Sequence, residues 1–274
     1  MSTTFETTTQ PRELSSSGQR LRSLARAEGL QFRRNKTLLF MATVFPVGIP
    51  LVLFLMGEGT AMQAANSFDM FVFYVLMFVQ FYTVLAMATT RRDERVLKRL
   101  RTGEARDWEI LAAICAPGAV LSVVFTLVII PLMMLLGAPA PVNVLLIAAG
   151  LLLGLVLSSA LALLSSVFTR NAEAAQITSL PVMTLALLGL GTLRPLFGDG
   201  LLAEVIAFTP FAAISDLVGV GWAGATFTQL MEGVSPQNFG GSFAETWMSL
   251  LVLLVWIGLA LFGVKRLMRW DSHR

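Results

Sequence analysis

Apolar residues run along this chain in long blocks separated by short polar stretches. A hydrocarbon core of about 30 Å takes about 20 apolar residues in a helix. Blocks of that order occupy residues 37–56, 68–89, 110–136, 142–167, 174–193 and 247–267. The pattern predicts an all-α membrane protein with six transmembrane helices. Prolines fall inside several blocks: Pro46 and Pro50 in the first, Pro117 and Pro131 in the third, Pro181 in the fifth. Each predicts a kink or local break, since proline removes a helical N–H and crowds the preceding turn. Residues 1–18 are rich in Ser and Thr without apolar periodicity and read as a disordered cytoplasmic tail. Over residues 19–36, Leu21, Leu24, Ala25 and Phe32 gather on one side of a helical projection, while Arg22, Arg26, Arg33 and Arg34 fall elsewhere. Glu28 intrudes on the apolar side. This segment predicts an amphipathic helix lying on the membrane surface, with a solvated basic linker as the alternative. The remainder, 37–274, is the transmembrane domain.

The stretch 194–246 breaks the regular pattern. Its middle, about 201–227, is apolar enough for a seventh span, but Glu204, Pro210 and Asp216 stand in it. An unpaired carboxylate at the centre of a lipid-facing helix costs about 2.5–3.5 kcal/mol even on the lenient insertion scale. Short re-entrant or interfacial helices broken near Pro210, on the external side and before the last span, are the better expectation, with their non-helical backbone buried in protein. Span four carries Gly150, Gly154, Ser158 and Ala162 at every fourth position, which predicts close packing against another helix. Gly189 and Gly191, near the outer end of span five, predict a hinge.

Charge sets the orientation. With these spans, 19 of the 20 Lys and Arg fall on one side, against 10 acidic residues, and only Arg194 on the other, against 7. The positive-inside rule places both termini in the cytoplasm of a plasma (inner) membrane protein. A net charge of +3 thus hides a strongly polarised chain. Composition agrees with the membrane assignment, at 55% hydrophobic and 14% charged with a mean hydropathy of +0.74. The first apolar block begins too late for a signal peptide, and no small-residue cleavage site follows it.

Several chemistries are excluded by residue supply. Cys115 is the single cysteine and His273 the single histidine, so neither a thiolate metal cluster nor a Ser–His hydrolase site at membrane depth can be built. Lys36, Lys98 and Lys265 follow Asn, Leu and Val, so no P-loop glycine-lysine pair exists. Asp69 is the one acidic residue within a span and sits near its outer end, where a solvated or helix-capping role is expected. The chain therefore supplies no catalytic residue, no metal site and no nucleotide site of its own. No feature calls for nucleic acid.

The most informative polar segment is 90–109, TRRDERVLKRLRTGEARDWE. Val96, Leu97 and Leu100 lie at helical spacing among basic residues, and Trp108 marks the return to the bilayer interface. A short amphipathic helix follows, with a lipid-headgroup topology signal as the plainer alternative. The run Arg91-Arg92-Asp93-Glu94-Arg95, then Leu97-Lys98-Arg99-Leu100-Arg101, then Arg106-Asp107-Trp108-Glu109-Ile110-Leu111, resembles the first cytoplasmic loop of ABC-2 type transporter permeases. Phe168 to Gln176 resembles that family's short loop between spans four and five, and Thr209-Pro210-Phe211 stands where such permeases often have a proline turn. Two departures are visible. The family's usual Gly-Thr after the acidic opening is missing, and Gly103-Glu104 stands where Thr-Pro is common.

The resemblance implies a permease subunit of an ABC exporter, closest in character to drug- and antibiotic-efflux members. It implies a separate ATPase subunit that carries ATP and magnesium, and a second permease subunit, identical or related, that completes the pathway. It makes 90–109 the ATPase-coupling loop. Val96, Leu97 and Leu100 become packing contacts, Glu94 and Arg95 polar partners, and Trp108 the interfacial anchor. Leu24, Phe32, Arg33 and Arg34 then seat the interfacial helix. The cargo expected is an apolar or amphipathic compound. An ion- or proton-coupled carrier and a non-transporting membrane component are the rival functions.

Overall fold

The computed structural model describes residues 17–34, 36–102, 106–171, 173–198 and 200–268, and these contain helices and turns with no strand. Helix α1 is Ser17–Arg34, α2 is Lys36–Leu55 and α3 is Ala61–Asp93. A six-residue helix, α4, follows at Val96–Arg101, then α5 at Asp107–Leu135, α6 at Val144–Phe168 and α7 at Ala174–Leu188. Three short helices come next: α8 at Leu201–Ala207, α9 at Pro210–Ala223 and α10 at Phe227–Met231. Gly241–Leu267 forms α11 and ends the described fold.

Four helices, α3, α5, α6 and α11, are long and apolar enough to cross a membrane. The pair α8–α9 makes a fifth if it counts as one bent span. The first expected span is α2, of which Thr43–Leu55 is a shorter apolar helix. The fifth, α7, has 15 residues, about 22 Å at 1.5 Å per residue, and stops five residues before the expected end. The second starts at Ala61, one to two turns earlier than its apolar composition suggests.

The prolines do not break these helices. Pro46 and Pro50 lie within α2, Pro117 and Pro131 within α5, and Pro181 within α7, each in a continuous helical run. Neighbouring helices and local readjustment accommodate proline in membrane helices far better than in exposed ones. The irregularity lies elsewhere. Residues Val75–Tyr82 of α3 are wound as a π-helix, and they place Gln80, fully buried, so that its Nε2 donates to Ser159 Oγ at 2.6 Å and Cys115 O at 3.2 Å.

The real break precedes Pro210. Helices α8 and α9 meet at 75° across Phe208 and Thr209. Proline at the first position of α9 needs no N–H there, and the Thr209 side chain caps the start by accepting from Ala212 N. The Trp256 indole of α11 donates to Phe208 O at 3.0 Å, satisfying a carbonyl at the bend. Helix α9 is buried on every side except at Asp216, and it packs against α3, α6 and α11.

Lipid is as apolar as leucine, so this packing depends on close approach and hydrogen bonds rather than on burial from water. A side chain at Gly154 would put its Cβ 2.7 Å from Leu76 Cδ1, and one at Gly150 would reach 3.3 Å from Leu217 Cβ. Ser158 and Ala162 continue the same buried stripe. Helix α6 is tied to α9 by Asn143 N donating to Gly221 O at 2.8 Å. It is tied to α11 by Asn143 Nδ2 donating to Ser242 Oγ at 2.8 Å. The expected hinge at span five is a packed corner instead. A Cβ on Gly189 would meet Ala212 N at 2.7 Å, and one on Gly191 would meet the Phe227 ring.

Candidate functional site

At the end of the bundle that carries α1 and α4, the helices are joined by side-chain contacts that composition alone does not reveal. Helix α1 packs along α5 and is anchored at two points. Near its start, Arg20 Nε and Nη2 each donate to the Glu109 carboxylate at 3.2 Å, and Ser17 Oγ donates to the same group. Glu109 is wholly buried and also accepts from Arg106 N at 2.9 Å, so one carboxylate caps α5 and holds α1. Eight residues along α1, Glu28 accepts from Arg91 Nη2 at 2.8 Å and Nε at 3.2 Å. Glu28 is 5% exposed. Its place on the apolar side of α1 is thereby explained: it meets an arginine from α3.

The neighbouring Arg92 is buried and points the other way. Its guanidinium donates to Ser166 O and Thr169 O at the C-terminal end of α6. Ser166 O also accepts from Thr169 N at 3.2 Å, so the guanidinium adds a second donor at a helix end where carbonyls outnumber backbone donors, and a cation there also suits the helix dipole. Adjacent arginines thus join α3 to α1 on one side and to α6 on the other.

Helix α4 is set against this seam. The chain reverses between α3 and α4 with Glu94 N donating to Thr90 O and Arg95 N to Arg92 O, both at 3.0 Å. Arg95 has φ of 57°, the left-handed conformation that costs an L-residue roughly 1–2 kcal/mol and glycine little. It follows the acidic opening directly, where the family's Gly-Thr is missing. Leu97 is fully buried in the chain's own core, and Leu100 is half-buried against it. Val96 is half-buried; Glu94, Arg95 and Trp108 are exposed. Leu97 therefore fastens α4 from beneath, while Glu94 and Arg95 face outward. An open cleft of about 450 Å³ lies beside them, lined by Thr90, Asp93, Glu94, Asn171 and Glu173. On α1, Leu24 is half-buried and Arg34 exposed. The side chains of Phe32 and Arg33, and residues 1–16, lie outside the described residues.

A second polar network occupies the opposite end of the bundle. Asp69 is buried rather than solvated or capping, because α9 and the turn after α7 close over it. Its Oδ2 accepts from Ser215 Oγ at 2.7 Å and Gly191 N at 3.0 Å. Arg194, in a short 3₁₀ turn at Arg194–Phe197, pairs with Asp216 of α9. Ser249 Oγ donates to the same carboxylate at 3.3 Å. This pairing is how α9 keeps an acidic residue in an otherwise apolar helix. Of these groups, sequence signals marked Asp69, Arg194 and Asp216 as unusual, but gave no sign of which partners they meet.

These features define a multi-pass helical membrane protein whose helix ends around α4 are built into one joined face. Residues 19–197 match the ABC-2 type transporter family, and the chain belongs to that family. No curated protein matches it. Membership makes the chain the permease subunit of an ABC transporter, a membrane component that is not itself catalytic and works with a separate ABC ATPase.

Proposed function

We propose that the chain exports an apolar or amphipathic compound, driven by ATP that a separate subunit binds with magnesium and hydrolyses. The single observation that carries this reading is the cytoplasmic seam. The turn into helix α4 exposes Glu94 and Arg95, with Glu94 lining an open cleft, while Leu97 locks α4 into the chain. A surface held in this way transmits a push to α1, α3, α5 and α6 through the Glu28, Arg91, Arg92 and Glu109 contacts. The acidic rim of Asp93, Glu94 and Glu173 suits a basic partner surface.

In this reading six spans cross the plasma membrane, α2, α3, α5, α6, α7 and α11, with both termini cytoplasmic and α1 lying in the headgroup region. Helices α8 and α9 form a re-entrant hairpin from the outside, and a second permease subunit, identical or related, closes the pathway. The spans carry their exposed charges only near their ends, which gives the cargo apolar walls.

The test is co-purification of the chain with its cognate ATPase from gently solubilised membranes, together with efflux from reconstituted vesicles. The double substitution Glu94→Gln and Arg95→Glu alters the exposed rim without setting a cation against Arg91 and is expected to cut both ATPase recovery and ATP-dependent efflux at least tenfold. Efflux that survives ATP depletion and collapses with the proton gradient overturns the proposal in favour of an ion-coupled carrier. Absence of transport with the ATPase bound points to a non-transporting component and overturns it too.

A further inference from the structure

Asp69 borders a cleft between α3, α7 and α9. The cleft holds about 250 Å³ of empty space, part of it open to the surroundings, with room inside for one water-sized group. Val72, Leu76, Ala186, Leu190 and Phe211 give it apolar walls, and Asp69 and Ser215 are its polar groups. The Asp69 side chain is almost wholly buried, at 3% exposure for the residue. Both of its hydrogen bonds go to one oxygen, Oδ2. Oδ1 has no hydrogen-bond partner among the described residues.

The charges around it do not balance. Asp69 and Asp216, with Glu245 near Asp216, share this end of the bundle with the Arg194 guanidinium, which hydrogen-bonds to Asp216 and reaches Asp69 only through space. No Lys or Arg among the described residues forms an ion pair with Asp69. A buried carboxylate without a cation is costly in an apolar surround, a cost relieved by taking up a proton or by a cation that supplies the missing charge. The enclosed space matches an ammonium head, which is about the size of a water molecule. The apolar walls suit a hydrocarbon tail.

From this geometry we infer that the cleft binds the ammonium head of an amphipathic amine, with Asp69 Oδ1 accepting from its N–H and the tail against Phe211 and Leu190. The inference rests on the permease reading only in treating that amine as cargo, which narrows the cargo to cationic amphipaths.

Binding is measured on the full chain in nanodiscs, without ATP or ATPase, with decylammonium, decanol and decyl sulfate as probes and empty nanodiscs as the baseline. Binding is read by calorimetry. Saturable decylammonium binding at least tenfold tighter than decanol is expected, with decyl sulfate weaker than either. Asp69→Asn keeps an acceptor for Ser215 and Gly191 and is expected to erase the preference for ammonium over alcohol. Equal binding of alcohol and ammonium by the unaltered chain overturns the inference, as does an Asp69→Asn chain that retains the preference. The first comparison needs no variant to fold. Because no ATPase is present, failure here leaves ATP-driven efflux standing, and failure of coupling leaves ammonium binding measurable.

Discussion

The Glu28–Arg91 contact gives the sharpest test of how α1 is held. Two N–H groups converge on one Glu28 oxygen at 2.8 and 3.2 Å, and the side chains are only 7% and 15% exposed. An exposed ion pair contributes up to about 1 kcal/mol, whereas breaking a fully buried one costs about 3–5 kcal/mol. A charge-assisted bond in this intermediate setting contributes about 1.5–3 kcal/mol. Taking about 2 kcal/mol, Glu28→Ala raises the opening equilibrium of α1 about 30-fold, since 1.4 kcal/mol is a factor of ten. Amide hydrogen exchange across 17–34, in nanodiscs, reads that directly. Glu28→Ala, Arg91→Ala and the double variant form a cycle. The double variant is expected to exchange little faster than either single one. Arg91 also lies 3.8 Å from Glu94, so Arg91→Ala disturbs slightly more than Glu28→Ala. Single effects below threefold, or effects that simply multiply in the double variant, refute the claim that this contact holds α1.

Two further substitutions probe the bundle. Gly154→Leu forces atoms into the space of Leu76 and Ile214 and should destabilise the purified chain by about 1–3 kcal/mol, seen as a lowered thermal midpoint; an unchanged midpoint shows that the stripe does not pack as described. Asn143→Ala removes the cap on Leu145 N and Leu146 N and the bond to Ser242. The cap alone contributes about 0.5–2 kcal/mol, so exchange should accelerate at the starts of both α6 and α11, and acceleration confined to α6 would remove the proposed link.

Long-period features were legible in the sequence. The apolar blocks, the short helix at 96–101 and the basic segment before the first span all depend on residues close in the chain, and each has a helix in its place. The small-residue stripe was legible for the same reason, because Gly150, Gly154, Ser158 and Ala162 follow one helical repeat. Contacts between distant residues were not. Arg91 and Glu28 are 63 positions apart, and a carboxylate on the apolar side of α1 could be recognised as odd without its partner being known. Leu97 was equally hidden: a leucine on a short amphipathic helix has the same pattern whether it faces a partner protein or, as here, its own chain. The π-wound stretch of α3 left no mark, since Val75–Tyr82 is as apolar as the rest of its span. The prolines in α2, α5 and α7 mark no break, because a helix held by its neighbours tolerates the lost N–H better than an exposed one.

That π-wound stretch and the arginine pair together set a mechanical scale. From Tyr82 to Arg91 is nine residues, a stiff arm of about 14 Å at 1.5 Å per residue. Were α3 to pivot at its π turns by about 10°, simple trigonometry on that helical rise moves Arg91 about 2.4 Å. Such a displacement exceeds what a hydrogen bond tolerates. The contacts to Glu28 and to the end of α6 must then either travel with the arm or part. A small rotation within the membrane is thereby converted at the cytoplasmic face into a choice between two sets of bonds rather than a graded stretch.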